Sequence, residues 1–361
     1  MKQNIILFGG GFDPVHNGHL NMARCASLQF DADVVFIPAP IAIWKNSSIN
    51  AKDKIGMIEV AIAKYPRFTL DLFEINSGKT TNYSIDTVKH FKEIDPNEQI
   101  YYLIGSDQVN EFHRWKNCEE LSKLAQIVYF PRPGYTLSER NIRKFNMIEV
   151  KGSSSGAASR DIRHLQSVDV PFEELLYIEQ HSLYWISRIK SLLTEERFKH
   201  SLEVAHLAYK VASLNGLDPE KAYIAGILHD IGKDVFDEEK KVIMEKHFKE
   251  YSDLPKFAYH QFVGSYIASQ DFEIKDDLIL NAIKFHATGR DGMSWLEKVV
   301  YACDKIEPTR GFDSSDLIKA MMENYDLGFI EVLKANKEFL ENNRKNINNP
   351  LTHKCFKEYL D

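Results

Sequence analysis

The sequence predicts two folded bodies in series: an α/β body built on a mostly parallel sheet, then an all-helical body. Two observations predict this. Up to about residue 185, short apolar runs alternate with helical patterns; beyond it, strand-like runs disappear and long amphipathic patterns take over. Length agrees, since 361 residues are enough for two domains.

The first strand is 4–8 (NIILF), followed by Gly9, Gly10 and Gly11 and a helical pattern from Asn17 to Leu28. A second strand, Asp33 to Ile37, closes at Pro38 and Pro40. Further strands are expected at 68–74, 100–104, 126–130 and 146–150, with helices at 53–64, 84–93 and 117–124. The later helices are expected at 194–214, 219–232, 237–249, 259–270, 275–287, 294–306 and 314–342. The join is expected at residues 187–193, giving domains 1–187 and 188–361. No internal repeat is visible, and the one low-complexity stretch, GSSSGAAS at 152–159, reads in isolation as a flexible loop.

Hydrophobic residues are 44% and charged residues 27%, as in a soluble globular chain. The net charge of −7 implies no general affinity for nucleic acid or for an anionic membrane, so any anion site must be local. Cys25, Cys118, Cys303 and Cys355 are widely spaced and form no CxxC, which argues for a reducing cytoplasm over a disulfide framework. The opening MKQNIILFGGGF breaks at its glycines and reads as a buried strand rather than a leader; no run reaches the roughly 18 apolar residues of a membrane span.

Gly9-Gly10-Gly11-Phe12-Asp13-Pro14-Val15-His16-Asn17-Gly18-His19 joins the first strand to the first helix. Such a turn lets backbone N–H groups approach a phosphate at a helix N-terminus. It is neither GxGxxG nor GxxxxGK[ST], which excludes the common dinucleotide and P-loop fingerprints. His16 and His19, three apart, can donate hydrogen bonds to phosphate oxygens as charge builds on a phosphorus under attack. Either histidine alone would more often be structural; the glycine run and the HxGH spacing reverse that preference.

In the helical half, His200, His229-Asp230, His260, His286 and Asp304 lie on separate expected helices and could converge on a metal. Imidazole with carboxylate suits iron, manganese or another first-row divalent ion better than thiolate-seeking zinc. A metal pair sharing a carboxylate can activate water and clamp a phosphoryl group. A lone helical histidine is usually core or surface; the ordered series H…HD…H…H…D is far more specific.

GGGFDPVHNGHL resembles the signature of bacterial nicotinate mononucleotide adenylyltransferases, within the wider HxGH nucleotidylyltransferase group, and the likeness runs to about residue 187. Asn82-Tyr83-Ser84-Ile85-Asp86-Thr87 is similar to the family's SYTxDT element, Gly105-Ser106-Asp107 to its GxD segment near adenosine, and Phe130-Pro131-Arg132-Pro133-Gly134-Tyr135 to its RPGY turn. Trp115 falls where the family stacks an aromatic on the nicotinate ring, and Ala158-Ser159-Arg160-Asp161-Ile162-Arg163 is similar to its late SSTxIR motif. The resemblance implies a Rossmann-like nucleotidylyltransferase domain. It makes His16, His19, Lys45 and Arg163 catalytic, with Gly9, Gly10, Phe12, Tyr83, Ser84, Gly105, Asp107, Trp115, Arg132 and Ser159 binding substrate. ATP with Mg²⁺ and nicotinate mononucleotide are the implied partners; nicotinamide mononucleotide stays open as the acceptor. Ala42-Ile43-Trp44-Lys45 replaces the usual Pro-Pro-His-Lys, and Ala158 and Arg160 replace small hydroxyl residues, so a partly rebuilt triphosphate pocket is expected.

Residues 194 to about 355 resemble HD-domain phosphohydrolases, most closely the bacterial branch that splits diadenosine tetraphosphate symmetrically. The likeness is carried by Arg197-Phe198-Lys199-His200-Ser201, His229-Asp230-Ile231-Gly232-Lys233, His260-Gln261-Phe262-Val263-Gly264, Phe285-His286-Ala287-Thr288-Gly289-Arg290, and the stretch from Leu296 to Pro308. It implies an all-α HD-domain helical bundle. The metal ligands would be His200, His229, Asp230, His260, His286 and Asp304, holding one or two divalent ions, iron first and manganese second. Lys233, expected one turn after His229 on the same helical face, and Arg290 would hold phosphates of a dinucleoside polyphosphate. A homo-oligomer is compatible with the sequence. The helical half could instead be a nucleotide-sensing module, for which a missing ligand would be the sign; none is missing.

Overall fold

The computed structural model describes residues 4–40, 49–79, 81–132, 134, 136–153, 156, 158–343 and 349–361. Contacts divide the chain into two compact units. Met1–Arg163 with Asp169–Tyr184 form the first, and His164–Val168 with Trp185–Asp361 form the second.

In the first unit six strands make one parallel sheet: β1 Asn4–Gly10, β2 Asp33–Pro38, β3 Phe68–Leu70, β4 Gln99–Gly105, β5 Gln126–Phe130 and β6 Ile148–Glu149. Their order is β3-β2-β1-β4-β5-β6, so the winding direction reverses between β1 and β4. Open parallel sheets bind ligands at the carboxyl ends of the strands at such a reversal. Ile6, Phe8, Val34, Phe36 and Val128 enter an apolar core on one face, and Ile5, Leu7, Ile100, Tyr102 and Ile127 enter one on the other. Burial on both faces explains why the strands read as continuous apolar runs.

The expected strand 68–74 stops at Leu70. The Asp71 carboxylate accepts from the Phe73 N–H at 2.7 Å and turns the chain into a short helix, Phe73–Asn76. The expected strand 146–150 shrinks to Ile148–Glu149, the two residues paired with Val128 and Tyr129. GSSSGAAS lies inside the first unit. Gly152 packs so close to the Cys25 thiol and the Phe130 ring that an added Cβ would meet them at 2.8 Å.

The second unit is helical, as expected. Its long helices include Glu195–Leu214, Pro219–Leu228, Tyr259–Asp271, Asp277–Phe285 and Trp295–Ile306. Three details differ from expectation. The join expected at 187–193 is mostly helix, within Trp185–Leu192, which belongs to this unit. The stretch 314–342 breaks into Ser315–Glu323 and Tyr325–Asn342, because the Asn324 side chain caps the N–H groups of Asp326 and Leu327. The stretch 219–232 is helical only to Leu228, after which Ile231 and Lys233 make tighter bonds to Leu228 and Asp230. Lys233 is therefore on a turn and not on a helical face shared with His229. Among the described residues no helix is long and apolar enough to cross a membrane.

Candidate functional sites

A cavity of about 380 Å³ opens at the β1/β4 reversal, lined by Gly9 and Gly10 from β1, Gly105 from β4, His19, Asp107, Ser84, Trp115 and Arg132. The glycines keep it open. A Cβ on Gly9 would stand 2.8 Å from the Tyr102 hydroxyl, and one on Gly105 would stand 2.7 Å from the Asp107 carboxylate. Phe12 adopts φ 43°, and its buried ring packs edge-on against Phe8 and His19 at 5.3 and 5.2 Å. Phe12 thus supports the histidine from within the core and does not line the cavity.

His16 is the residue before the helix Asn17–Phe30, and its ring lies 3.7 Å from that of His19, tilted by 32°. Two charged imidazoles at that separation would repel. Burial, and the Arg132 guanidinium next, lower His16 to about 3; burial, then His16 and Arg132, put His19 well below the ordinary histidine range. Both rings are neutral at physiological pH. Each has a buried Nδ1 with no hydrogen-bond partner among the described residues. The Arg132 guanidinium has no ion-pair partner among the described residues and faces the same space. A neutral pair that can donate N–H and an unpaired cation make a site for polyphosphate.

At the other end of the cavity, Tyr102 donates to the Ser84 hydroxyl at 2.8 Å, and Trp115 stands edge-on to Tyr102 at 6.1 Å. Ser84 opens the helix Ser84–Ile94, while Tyr83 is exposed under the Lys116 ammonium. Ser159 donates to the Pro14 carbonyl at 2.8 Å, and Arg163 donates to the Asp13 carbonyl, so both back the glycine loop from behind. Tyr184 donates to the Asp13 carboxylate at 2.9 Å on the same loop. Lys45, with Ala42, Ile43 and Trp44, lies outside the described residues, as do Pro133 and Tyr135.

In the second unit the six expected ligands converge. His200 comes from Glu195–Leu214, His229 and Asp230 from the turn after Leu228, His260 from Tyr259–Asp271, His286 from the end of Asp277–Phe285, and Asp304 from Trp295–Ile306. Gly232 permits the turn, since a Cβ there would meet the His260 carbonyl at 2.4 Å and the Gly264 nitrogen at 2.5 Å. His229, His260 and His286 direct Nδ1 to the carbonyls of Gly226, Phe257 and Ile283 at 2.7, 2.6 and 2.8 Å. A carbonyl only accepts, so each Nδ1 carries the proton and each Nε2 presents a lone pair.

Those lone pairs face one another. His260 Nε2 and His286 Nε2 are 3.2 Å apart, and Asp230 Oδ1 lies 3.3 and 3.4 Å from them. His200 Nε2 is 3.1 Å and His229 Nε2 3.6 Å from Asp304 Oδ1, and Asp230 turns its Oδ2 toward His229 at 4.0 Å. Burial lowers His286 to about 3 and also lowers His260, so neither nitrogen is protonated near neutrality. Lone pairs and carboxylate oxygens packed this closely repel unless a cation sits among them. His229 Nε2 is buried with no hydrogen-bond partner among the described residues. The donor set therefore fits a metal. His200–His229–Asp304 and His229–Asp230–His286 each keep their ligand atoms within 4.8 Å of one another, and the two oxygens of Asp230 face different histidines, as a bridging carboxylate does.

Lys233 Nζ lies 3.4 Å from His260 Nε2, at the rim of the cluster. Arg290 grips the buried Glu297 carboxylate through two bonds, 2.6 and 3.1 Å, and lies over the Phe285 ring, so a substrate phosphate would have to share it. Four charged neighbours of the ligands received no role in the sequence argument: Lys305 and Arg310 on Asp304, Glu307 on His200, and Arg197 on Asp230. Their signal was proximity in sequence to a ligand, Asp304 or His200.

A cytidylyltransferase-like family model matches residues 7–165, and an HD domain model matches residues 197–309. Over 346 residues the chain is 34% identical to a Mycoplasma genitalium protein named "Probable nicotinate-nucleotide adenylyltransferase/Ap4A hydrolase", covering 92% of this chain and 98% of that one. A Mycoplasma pneumoniae protein of the same name is 31% identical over 351 residues, covering 93% and 100%. An Aquifex aeolicus protein named "Probable nicotinate-nucleotide adenylyltransferase" is 39% identical over 131 residues, 36% of this chain and 77% of that one. With a parallel-sheet nucleotidyltransferase unit followed by a helical HD unit, and with relatives similar along nearly their whole length, the chain belongs to the family of fused nicotinate-nucleotide adenylyltransferase/Ap4A hydrolase proteins.

Proposed function

We propose that the chain carries two enzymes. The first unit transfers AMP from ATP to nicotinate mononucleotide, giving deamido-NAD and pyrophosphate, and the second hydrolyses dinucleoside polyphosphates such as diadenosine tetraphosphate to two ADP. One observation supports each half: the neutral histidine pair with Arg132 at the sheet reversal, and the facing lone pairs around Asp230. The names of the full-length relatives support both.

In the first reaction the 5′-phosphate oxygen of the mononucleotide attacks the α-phosphorus of ATP in line. The bond to the bridging oxygen breaks and pyrophosphate leaves. Backbone N–H groups of the glycine turn, His16, His19 and Arg132 hold the phosphates, with Lys45 and Arg163 completing the anion site. Ser159 and Arg163 keep the turn in place. Asp107 with Gly105 receives the adenosine, and Trp115 and Ser84 receive the pyridine, with Tyr83, exposed and outside the cavity lining, next to Ser84 in sequence. Mg²⁺ would enter with ATP, carried mainly by substrate oxygens.

In the second reaction His200, His229, Asp230, His260, His286 and Asp304 would hold two divalent ions, iron or manganese, which would supply an activated water and neutralise phosphoryl charge. Main-chain carbonyls fix the tautomers of three histidines. Lys233 is placed to meet a phosphate at the rim. We infer a cytoplasmic location, which the four free thiols support.

The test is a product assay on the full chain. ATP is supplied with either mononucleotide, and diadenosine tetraphosphate with iron or manganese. His19→Ala is expected to abolish dinucleotide synthesis alone, and Asp230→Ala hydrolysis alone. One substitution abolishing both activities would refute the two-site reading.

A further inference from the structure

We propose that Glu307 is a positioning residue that makes the His200 side of the cluster a tighter metal position than the Asp230–His260–His286 side; the inference rests on the two-ion hydrolase reading above.

The four histidines do not have the same support. Three give their Nδ1 proton to a main-chain carbonyl. His200 alone pairs its Nδ1 with a carboxylate, Glu307 Oε1, at 2.9 Å. A carboxylate accepts only, so with a cation at Nε2 the proton stays on Nδ1, and the full charge of Glu307 makes the opposite nitrogen a stronger donor than a carbonyl does. Glu307 is buried to 1% exposure. It is itself held by the Thr309 N–H at 2.6 Å and the Thr309 hydroxyl at 2.8 Å. It sits three residues after Asp304, at the end of the helix that carries that ligand, so one helical turn supplies a ligand and the support for its neighbour.

Cations do not separate the two sides. Lys305 and Arg310 stand against Asp304 on one, and Lys233 and Arg197 against Asp230 on the other. The buried carboxylate behind His200 is the difference that remains.

The experiment uses the full chain, stripped of metal by chelation and titrated with Mn²⁺, with free Mn²⁺ followed by its paramagnetic resonance signal. Wild type is expected to take up two equivalents of unequal affinity. Glu307→Gln, which keeps an acceptor but not the charge, is expected to weaken the tighter equivalent about 10- to 100-fold. The other equivalent and the unfolding temperature of the metal-free chain should stay unchanged. His200→Ala should strike the same equivalent. If Gln at 307 lowers the unfolding temperature, Thr309→Val replaces it and should weaken that equivalent by a few fold. Equal weakening of both equivalents, or of neither, overturns the inference. A wild-type chain that takes up fewer than two fails the two-ion reading and removes the inference with it.

Discussion

The neutral histidine pair gives the first unit a calculable sensitivity to acid. His16 is held at about 3 by burial and by Arg132, whereas in the unfolded chain it titrates at about 6.5. Above the unfolded value the ring is neutral in both states and contributes nothing. Below it the unfolded chain takes up a proton that the fold refuses, so stability falls as pH drops from 6.5 toward 3. At pH 5 the gap is about 1.5 units at about 1.36 kcal/mol each, or about 2 kcal/mol. His19 pulls in the same direction. The measurement is hydrogen exchange of the β1 amides in the full chain at pH 7 and pH 5, wild type against His16→Asn. Asparagine is a good residue at a helix start, and its capping gain is independent of pH, so it cancels in the comparison. The loss of protection between the two pH values should be smaller in the variant by about 2 kcal/mol. A pH-dependent loss equal in the two proteins would show that His16 is not held neutral, and the phosphate site would then need another account.

Three further outcomes follow from the geometry. Asp230→Asn removes the carboxylate that faces both halves of the cluster; hydrolysis should fall at least about 100-fold and bound metal should drop, with adenylyl transfer unchanged, as metal analysis and two product assays would report. Gly232→Ala drives a Cβ into main-chain atoms of His260 and Gly264; calorimetry should find the metal-free helical unit about 1–3 kcal/mol less stable, and an unchanged melt would mean that the turn is not tightly packed. Arg132→Ala leaves the histidine pair without its cation; KM for ATP should rise about tenfold or more, with hydrolysis intact.

Motifs were legible in the sequence where chemistry demands residue types at fixed spacing. The glycine turn with HxGH, and the series from His200 to Asp304, both reach common sites in the structure. What stayed hidden depended on the paths between them. The helix before His229 ends at Leu228, and the turn that follows passes close to the backbone of His260 and Gly264 at Gly232, which no periodicity encodes. Asp71 cuts a strand with a side-chain cap that the apolar pattern of 68–74 conceals. Ser159 and Arg163 bond to Pro14 and Asp13, a partnership spanning some 150 positions that local sequence cannot display.

The five residues His164–Val168 belong with the helical unit, although residues on both sides of them belong with the sheet. Leu165 and Val168 are buried there, and the Glu220 carboxylate accepts from the Ser167 hydroxyl and the Val168 N–H. The gene therefore has no single codon at which it can be cut into two clean halves. A sheet-side fragment would carry two apolar side chains stripped of their cover, and a helix-side fragment would keep a glutamate with no segment to hold. A version of this chain split between the units would have to re-engineer those five positions first.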